Sequence, residues 1–161
     1  MLEDARRARE LLIALLTGAG HVATFSSSAQ PPTNAVEFER LMKNRDAPHI
    51  DYGAFLGLLP NNPKACPCNI DGIVERKGKF LVLEWKREKE PMSEGLRRTL
   101  QALAATPNFQ VWVIRGDTDE GLRIARFFFV PPQGKAMLLG EGVEEFVRAY
   151  KLWYEWADGS F

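Results

Sequence analysis

Three residues near the middle of the chain have types and spacing suited to chemistry on a phosphate: Asp71, Glu84 and Lys86. Two carboxylates offer hard oxygen donors to a divalent cation such as Mg2+, which takes carboxylate oxygens, keeps several waters and binds substrate phosphates. A lysine beside them can orient or activate the attacking water, or stabilise charge on the phosphate in the transition state. This chemistry requires the chain to bring the three together.

A hairpin would do so. Ile70–Glu75 reads as a strand, Arg76–Lys79 as a tight turn, and Phe80–Lys86 as a second strand, apolar on both faces. A two-residue turn at Lys77-Gly78 pairs Arg76 with Lys79 and sets Asp71 opposite Glu84. Directly opposed residues have Cβ atoms about 4.5–5.5 Å apart on one face, and Lys86, two residues beyond Glu84, shares that face. Ile73, Val82 and Phe80 complete the face as core. Like charges opposed across a sheet are destabilising, so the arrangement predicts a cation between them. Lys86 supplies part of it and a divalent metal supplies more. Glu75-Arg76-Lys77 repeats the acid-x-Lys pattern, but in a turn.

The elements around the hairpin define how it is held. Leu2 to about Leu16 reads as an amphipathic helix, with Ala5, Ala8, Leu11, Leu12, Leu15 and Leu16 on one face. Residues 18–33 form a Gly/Ser/Pro-rich loop. A helix starts at Asn34 and runs to about Arg45, and Ile50–Leu59 has room for a short strand. After the hairpin, Ser93 caps a helix from Glu94 to about Ala105 with Leu96, Leu100 and Leu103 as its stripe. Phe109–Ile114 and Leu122–Val130 read as strands. A final helix spans about Glu141 to Ala157, with Val143, Phe146, Val147, Tyr150, Trp153 and Tyr154 at helical spacing. Strands apolar on both faces need cover on both faces. The chain is therefore expected to be one α/β domain over residues 1–161. Its parts are an N-terminal helix (1–17), a loop (18–33), a three-layer core with a mixed central sheet (34–130) and a C-terminal helix (140–157).

Asp71, then twelve residues, then Glu84-Trp85-Lys86, following one helix and followed by a helix and a strand, resembles the PD-(D/E)xK nuclease superfamily. The resemblance covers about Asn34 to Ile114. It departs from the pattern only in having Ile70 where the family often has Pro. It implies a restriction-endonuclease-like core and metal-dependent phosphodiester hydrolysis on DNA, with branched or otherwise structured DNA among the candidate substrates. Asp71 and Glu84 would be ligands of Mg2+ or Mn2+, with the backbone carbonyl of Trp85 as a further ligand and Lys86 as the catalytic lysine. Members often add a Glu from the first core helix, for which Glu37 and Glu39 are candidates, with Glu37 preferred. Many carry a polar residue on the helix after the hairpin, and Gln101, one turn beyond Arg97, fits that place.

Composition bounds the rest. The 161 residues carry 21 Lys plus Arg and 21 Asp plus Glu, so any affinity for nucleic acid must be local. Arg76, Lys77, Lys79, Lys86, Arg87, Lys89, Arg97 and Arg98 are expected to crowd near the proposed site. Arg97 and Arg98 begin a helix, where phosphates are also held by the helix N-terminus. A solvated charged face is the plainer reading. Trp153, Tyr154 and Trp156 could stack bases, but their spacing favours core or dimer packing, and so does Phe127-Phe128-Phe129. No apolar run of transmembrane length occurs. Leu11–Leu16 is too short, and follows too many acids, for a secretory leader. Cys66 and Cys68, one residue apart, would form a strained disulfide, so the chain reads as reduced and cytoplasmic; the resemblance leaves room for a bacterial or phage-type setting. A zinc site would need His21 and His49 and lacks the paired spacing of a finger or ribbon. No phosphate-loop, dinucleotide or nucleophile-elbow motif is present. The expectation is a DNA endonuclease, plausible as a homodimer. The alternative is a catalytically inactive nuclease-like fold acting as a nucleic-acid-binding or assembly module.

Overall fold

In the computed structural model the described residues are 52–64, 66–117 and 121–159. The N-terminal helix, the 18–33 loop, the helix from Asn34 with Glu37 and Glu39, and both histidines lie outside them. The described residues 52–68 belong to one compact unit and 69–159 to another.

The hairpin forms as the turn chemistry predicts. β1 (Gly72–Arg76) and β2 (Lys79–Lys86) pair antiparallel, with Arg76 opposite Lys79 and Gly72 opposite Leu83. Lys77 and Gly78 both have positive φ (49° and 75°), as the two-residue turns that match strand twist require. Gly78 N–H donates to Glu75 Oε1 at 2.7 Å, tightening the loop. Asp71 sits one residue before β1, just beyond the last ladder pair.

β2 runs into helix α1 (Glu94–Ala104), which returns the chain to β3 (Phe109–Asp117), parallel to β2. Parallel strands need such a crossover. α1 starts where Ser93 Oγ accepts from Leu96 N–H at 3.2 Å. β4 (Arg123–Phe129) pairs antiparallel with β3 through a bulge at Arg115/Gly116. A Cβ on Gly116 would fall 2.0 Å from the Arg123 carbonyl oxygen, so the bulge admits only glycine. β5 (Met137–Glu141) adds antiparallel to β4, and helix α2 (Gly142–Asp158) follows directly. The sheet order is β1-β2-β3-β4-β5, with one parallel pair among antiparallel ones. This is a mixed α/β sheet.

Alternation sends consecutive residues of β2 and β3 into opposite layers. Leu81, Trp112, Ile114, Ile124, Phe127 and Leu139 pack against Phe146, Ala149, Trp153 and Ala157 of α2. Val82, Val111, Val113 and Val130 pack under Leu100 of α1, with Leu96 and Leu103 at its flanks. Among the described residues one helix thus covers each face.

Four expectations differ. Residues 52–59 contain a short 3-10 helix (Gly53–Phe55) and no strand. β5 precedes the last helix, in a stretch to which the sequence reading assigns no element. Ile73 is 57% exposed and is not core: it lies on β1, the outermost strand, beyond the reach of α1. The basic turn lies at the far end of the hairpin from Glu84. There Arg76 and Lys77 pair with Asp158, and Lys79 Nζ donates to the Ala157 carbonyl at 3.0 Å. Arg76 also sits over the Tyr154 ring and Lys79 over Trp156. These cations cap the negative end of α2 and are not near the carboxylates. Trp153 and Phe127 are fully buried, so they are core residues.

Candidate functional site

The open end of the hairpin gathers two of the predicted residues around a third. Glu84 and Lys86 project from the same face of β2, which at Val82 becomes the floor beneath α1. Glu84 is only 3% exposed. Its Oε1 lies 3.0 Å from Lys86 Nζ, while its buried Oε2 has no hydrogen-bond partner among the described residues. Asp71, exposed, turns one carboxylate oxygen onto the backbone of the second strand: Oδ2 accepts from Trp85 N–H at 2.7 Å. This bond takes over where the ladder stops and fixes the Asp71 side chain against the strand that carries Glu84.

The electrostatics follow from burial. Loss of water raises the Glu84 carboxyl above the usual glutamate range, and the Asp71 charge adds to this. The hydrogen bond from Lys86 opposes both without cancelling them. Burial alone would lower the Lys86 ammonium, yet its bonds to Glu84 and Glu90 outweigh that and raise it. Lys86 has two carboxylates and is less buried than Glu84, so it keeps its proton. The second partner, Glu90 Oε1, lies 3.1 Å from Lys86 Nζ. Glu90 itself is held below the ordinary range, first by the Arg87 N–H and then by Lys86.

A buried carboxylate oxygen without a partner costs free energy, and a small hard cation satisfies that oxygen. Glu84 Oε2 and the Asp71 carboxylate are oxygen donors of the kind Mg2+ accepts while keeping several waters. In donor chemistry the residues present fit such an ion. Among the described residues no group of three His, Cys, Asp or Glu is placed to hold a metal, so a third protein carboxylate is not part of this fit. Trp85 follows Glu84 with its side chain on the α2 face.

The other predicted residues are distributed differently. Arg97 makes two bonds to Glu94, at 2.6 and 2.9 Å, and Arg98 shares the same carboxylate at 2.9 Å. Arg97 also donates to Gln101 Oε1, and Gln101 Nε2 donates to the Gly134 carbonyl at 3.0 Å. These three residues form a polar strip on the exposed flank of α1 rather than a group on Glu84. Arg87 and Lys89 are exposed on the turn after β2. Cys66 and Cys68 are free, exposed thiols.

Two residues of the site escaped the sequence reading. Glu90 lies four residues after Lys86, in a turn where helical spacing does not apply. Arg115 on β3 pairs in register with Lys86, which only the parallel pairing reveals.

Comparison with family models, curated proteins and solved structures finds no match. No helix among the described residues is long and apolar enough to cross a membrane.

Proposed function

We propose that this chain is a metal-dependent DNA endonuclease of the restriction-endonuclease-like kind, acting at the open end of the β1–β2 hairpin. The observation that carries this reading is the buried Glu84 carboxylate, with one oxygen on Lys86 and the other without a partner among the described residues, beside Asp71. Asp71 and Glu84 would hold Mg2+ or Mn2+, joined by the Trp85 carbonyl and, from outside the described residues, Glu37. When bound, such an ion polarises a phosphoryl oxygen and lowers the pKa of a coordinated water.

The chain's own residues do the rest. The Trp85 N–H orients Asp71. Lys86 stays charged beside the carboxylates and is placed to stabilise negative charge building on the phosphate. The α1 flank with Arg97, Arg98 and Gln101, and the turn with Arg87 and Lys89, supply exposed cations for the flanking backbone. Pairing with Glu94 halves what Arg97 and Arg98 offer, consistent with a chain of zero net charge. A homodimer would place two such sites for paired cuts in branched DNA.

The test is cleavage of plasmid, single-stranded and branched DNA with Mg2+ or Mn2+. Asp71→Ala and Lys86→Ala are expected to lose cutting by about two orders of magnitude or more. If both cut as the parent does, the assignment is wrong. A second reading, an inactive fold that binds nucleic acid, draws on Lys86 being engaged by two carboxylates. Binding without cutting in any divalent ion, with a salt dependence unaltered by Asp71→Ala, would establish it instead.

A further inference from the structure

The turn after β2 is tied down more firmly than a surface connection requires. Arg115, opposite Lys86 across the parallel pair, donates from one guanidinium nitrogen to two carbonyls, those of Arg87 (3.0 Å) and Glu90. Within the turn, Glu90 N–H donates to the Arg87 carbonyl at 3.0 Å, and Arg87 N–H donates to Glu90 Oε2 at 3.1 Å. One oxygen of Glu90 is thereby fixed, and the other is presented to Lys86 Nζ at 3.1 Å. The same ammonium lies 3.0 Å from Glu84 Oε1.

This double engagement addresses a conflict in the site. Glu84 cannot be at full strength both the counter-ion of Lys86 and a ligand of a divalent cation. Once Glu84 commits its charge to a cation, a lysine with no other partner would be repelled by that cation and turn away to water. Its side chain is only 15% exposed, so leaving costs packing as well. A second carboxylate on a braced turn removes the conflict.

We propose that Glu90, braced by Arg115, is a positioning residue for Lys86: it holds the ammonium at the site while Glu84 takes the metal. The proposal rests on the reading of Asp71, Glu84 and Lys86 as a metal-dependent hydrolytic site. It assigns Glu90 no contact with metal or substrate, so its effects must pass through Lys86. The role differs from mere capping of the turn, for which the bond from Arg87 N–H to Glu90 suffices.

The test is a double-mutant cycle read by Mn2+ titration calorimetry and by steady-state cleavage. Glu90→Gln keeps the shape and the turn bond but weakens the hold on Lys86. In the parent background it is expected to weaken Mn2+ binding about fivefold or more, because Lys86 then has Glu84 as its one counter-ion and the cation must displace it. It should also lower kcat with KM for DNA unchanged, and Glu90→Asp should restore part of the loss. In a Lys86→Met background the same change should alter Mn2+ affinity by less than about twofold. Equal losses in both backgrounds would mean that Glu90 acts on the cation directly, and would overturn the proposal, as would no loss in the parent background. Melting curves of each variant separate these outcomes from misfolding, and Glu90→Asp provides the comparison if Glu90→Gln does not fold. If the parent protein binds no Mn2+, the metal-site reading itself falls and takes the proposal with it, an outcome visible before any variant is made.

Discussion

Glu84 carries the tension between stability and function at the level of single residues. Its carboxyl is raised by burial, next by the Asp71 charge, and only partly relieved by Lys86. Between the ordinary value of 4.5 and its higher folded value, the folded protein binds a proton that the unfolded chain does not. Unfolding free energy therefore falls as pH rises through that window, and the charged Glu84 costs stability at neutral pH. Glu84→Gln keeps the volume and removes the charge, and Lys86 retains Glu90. The variant is expected to melt at the same temperature as the parent or higher at pH 7, with the advantage shrinking as pH falls toward 4.5, while metal-dependent cleavage disappears. Thermal melts at several pH values check this; a clear loss of Tm at pH 7 would show that Lys86 fully compensates the buried charge.

At the scale of elements, the hairpin was legible because its turn is local chemistry. Lys77-Gly78 must take positive φ twice, and this fixes the register that brings Asp71 to Glu84. Helix α1 was legible for the same reason, through Ser93 and the Leu96, Leu100, Leu103 stripe. Ser93→Ala is expected to cost about 1 kcal/mol in denaturant unfolding, since the Leu96 N–H loses its acceptor. β5 was not legible: five residues at a sheet edge, two of them buried, make too short a pattern to read. The basic turn was placed wrongly because closeness in sequence is not closeness in a hairpin, whose turn and open end point in opposite directions. Lys79→Met checks the corrected role. It should destabilise the fold by about 0.5–1 kcal/mol, through the lost bond at the C-terminal end of α2, and leave DNA affinity unchanged. A drop in DNA affinity without loss of stability would return this lysine to the binding surface.

For the whole molecule, equal numbers of acids and bases mean that no broad positive field draws in DNA. Much of the local positive charge near the site is also paired, as Arg97 and Arg98 are with Glu94. Metal-free binding to DNA should therefore be weak with a shallow salt slope, and Mg2+ should strengthen it by neutralising Asp71 and Glu84. Fluorescence anisotropy with the non-cutting Lys86→Ala variant, with and without Mg2+, measures this. Strong binding in EDTA with a steep salt slope would locate the nucleic-acid contact elsewhere on the chain.

The sequence by itself determined the hairpin, its register, the helix after it and the placing of two acids and a lysine at one strand end. All of these follow from turn residues, caps and side-chain periodicity, which act over a few residues. Tertiary structure alone decided what those residues experience. Glu84 is buried on the sheet face that α1 covers at Val82, Val111 and Val113, and the bracing of Glu90 by Arg115 comes from a parallel pairing that spans a crossover. Desolvation and long-range pairing depend on what packs against a residue, and no local pattern encodes that.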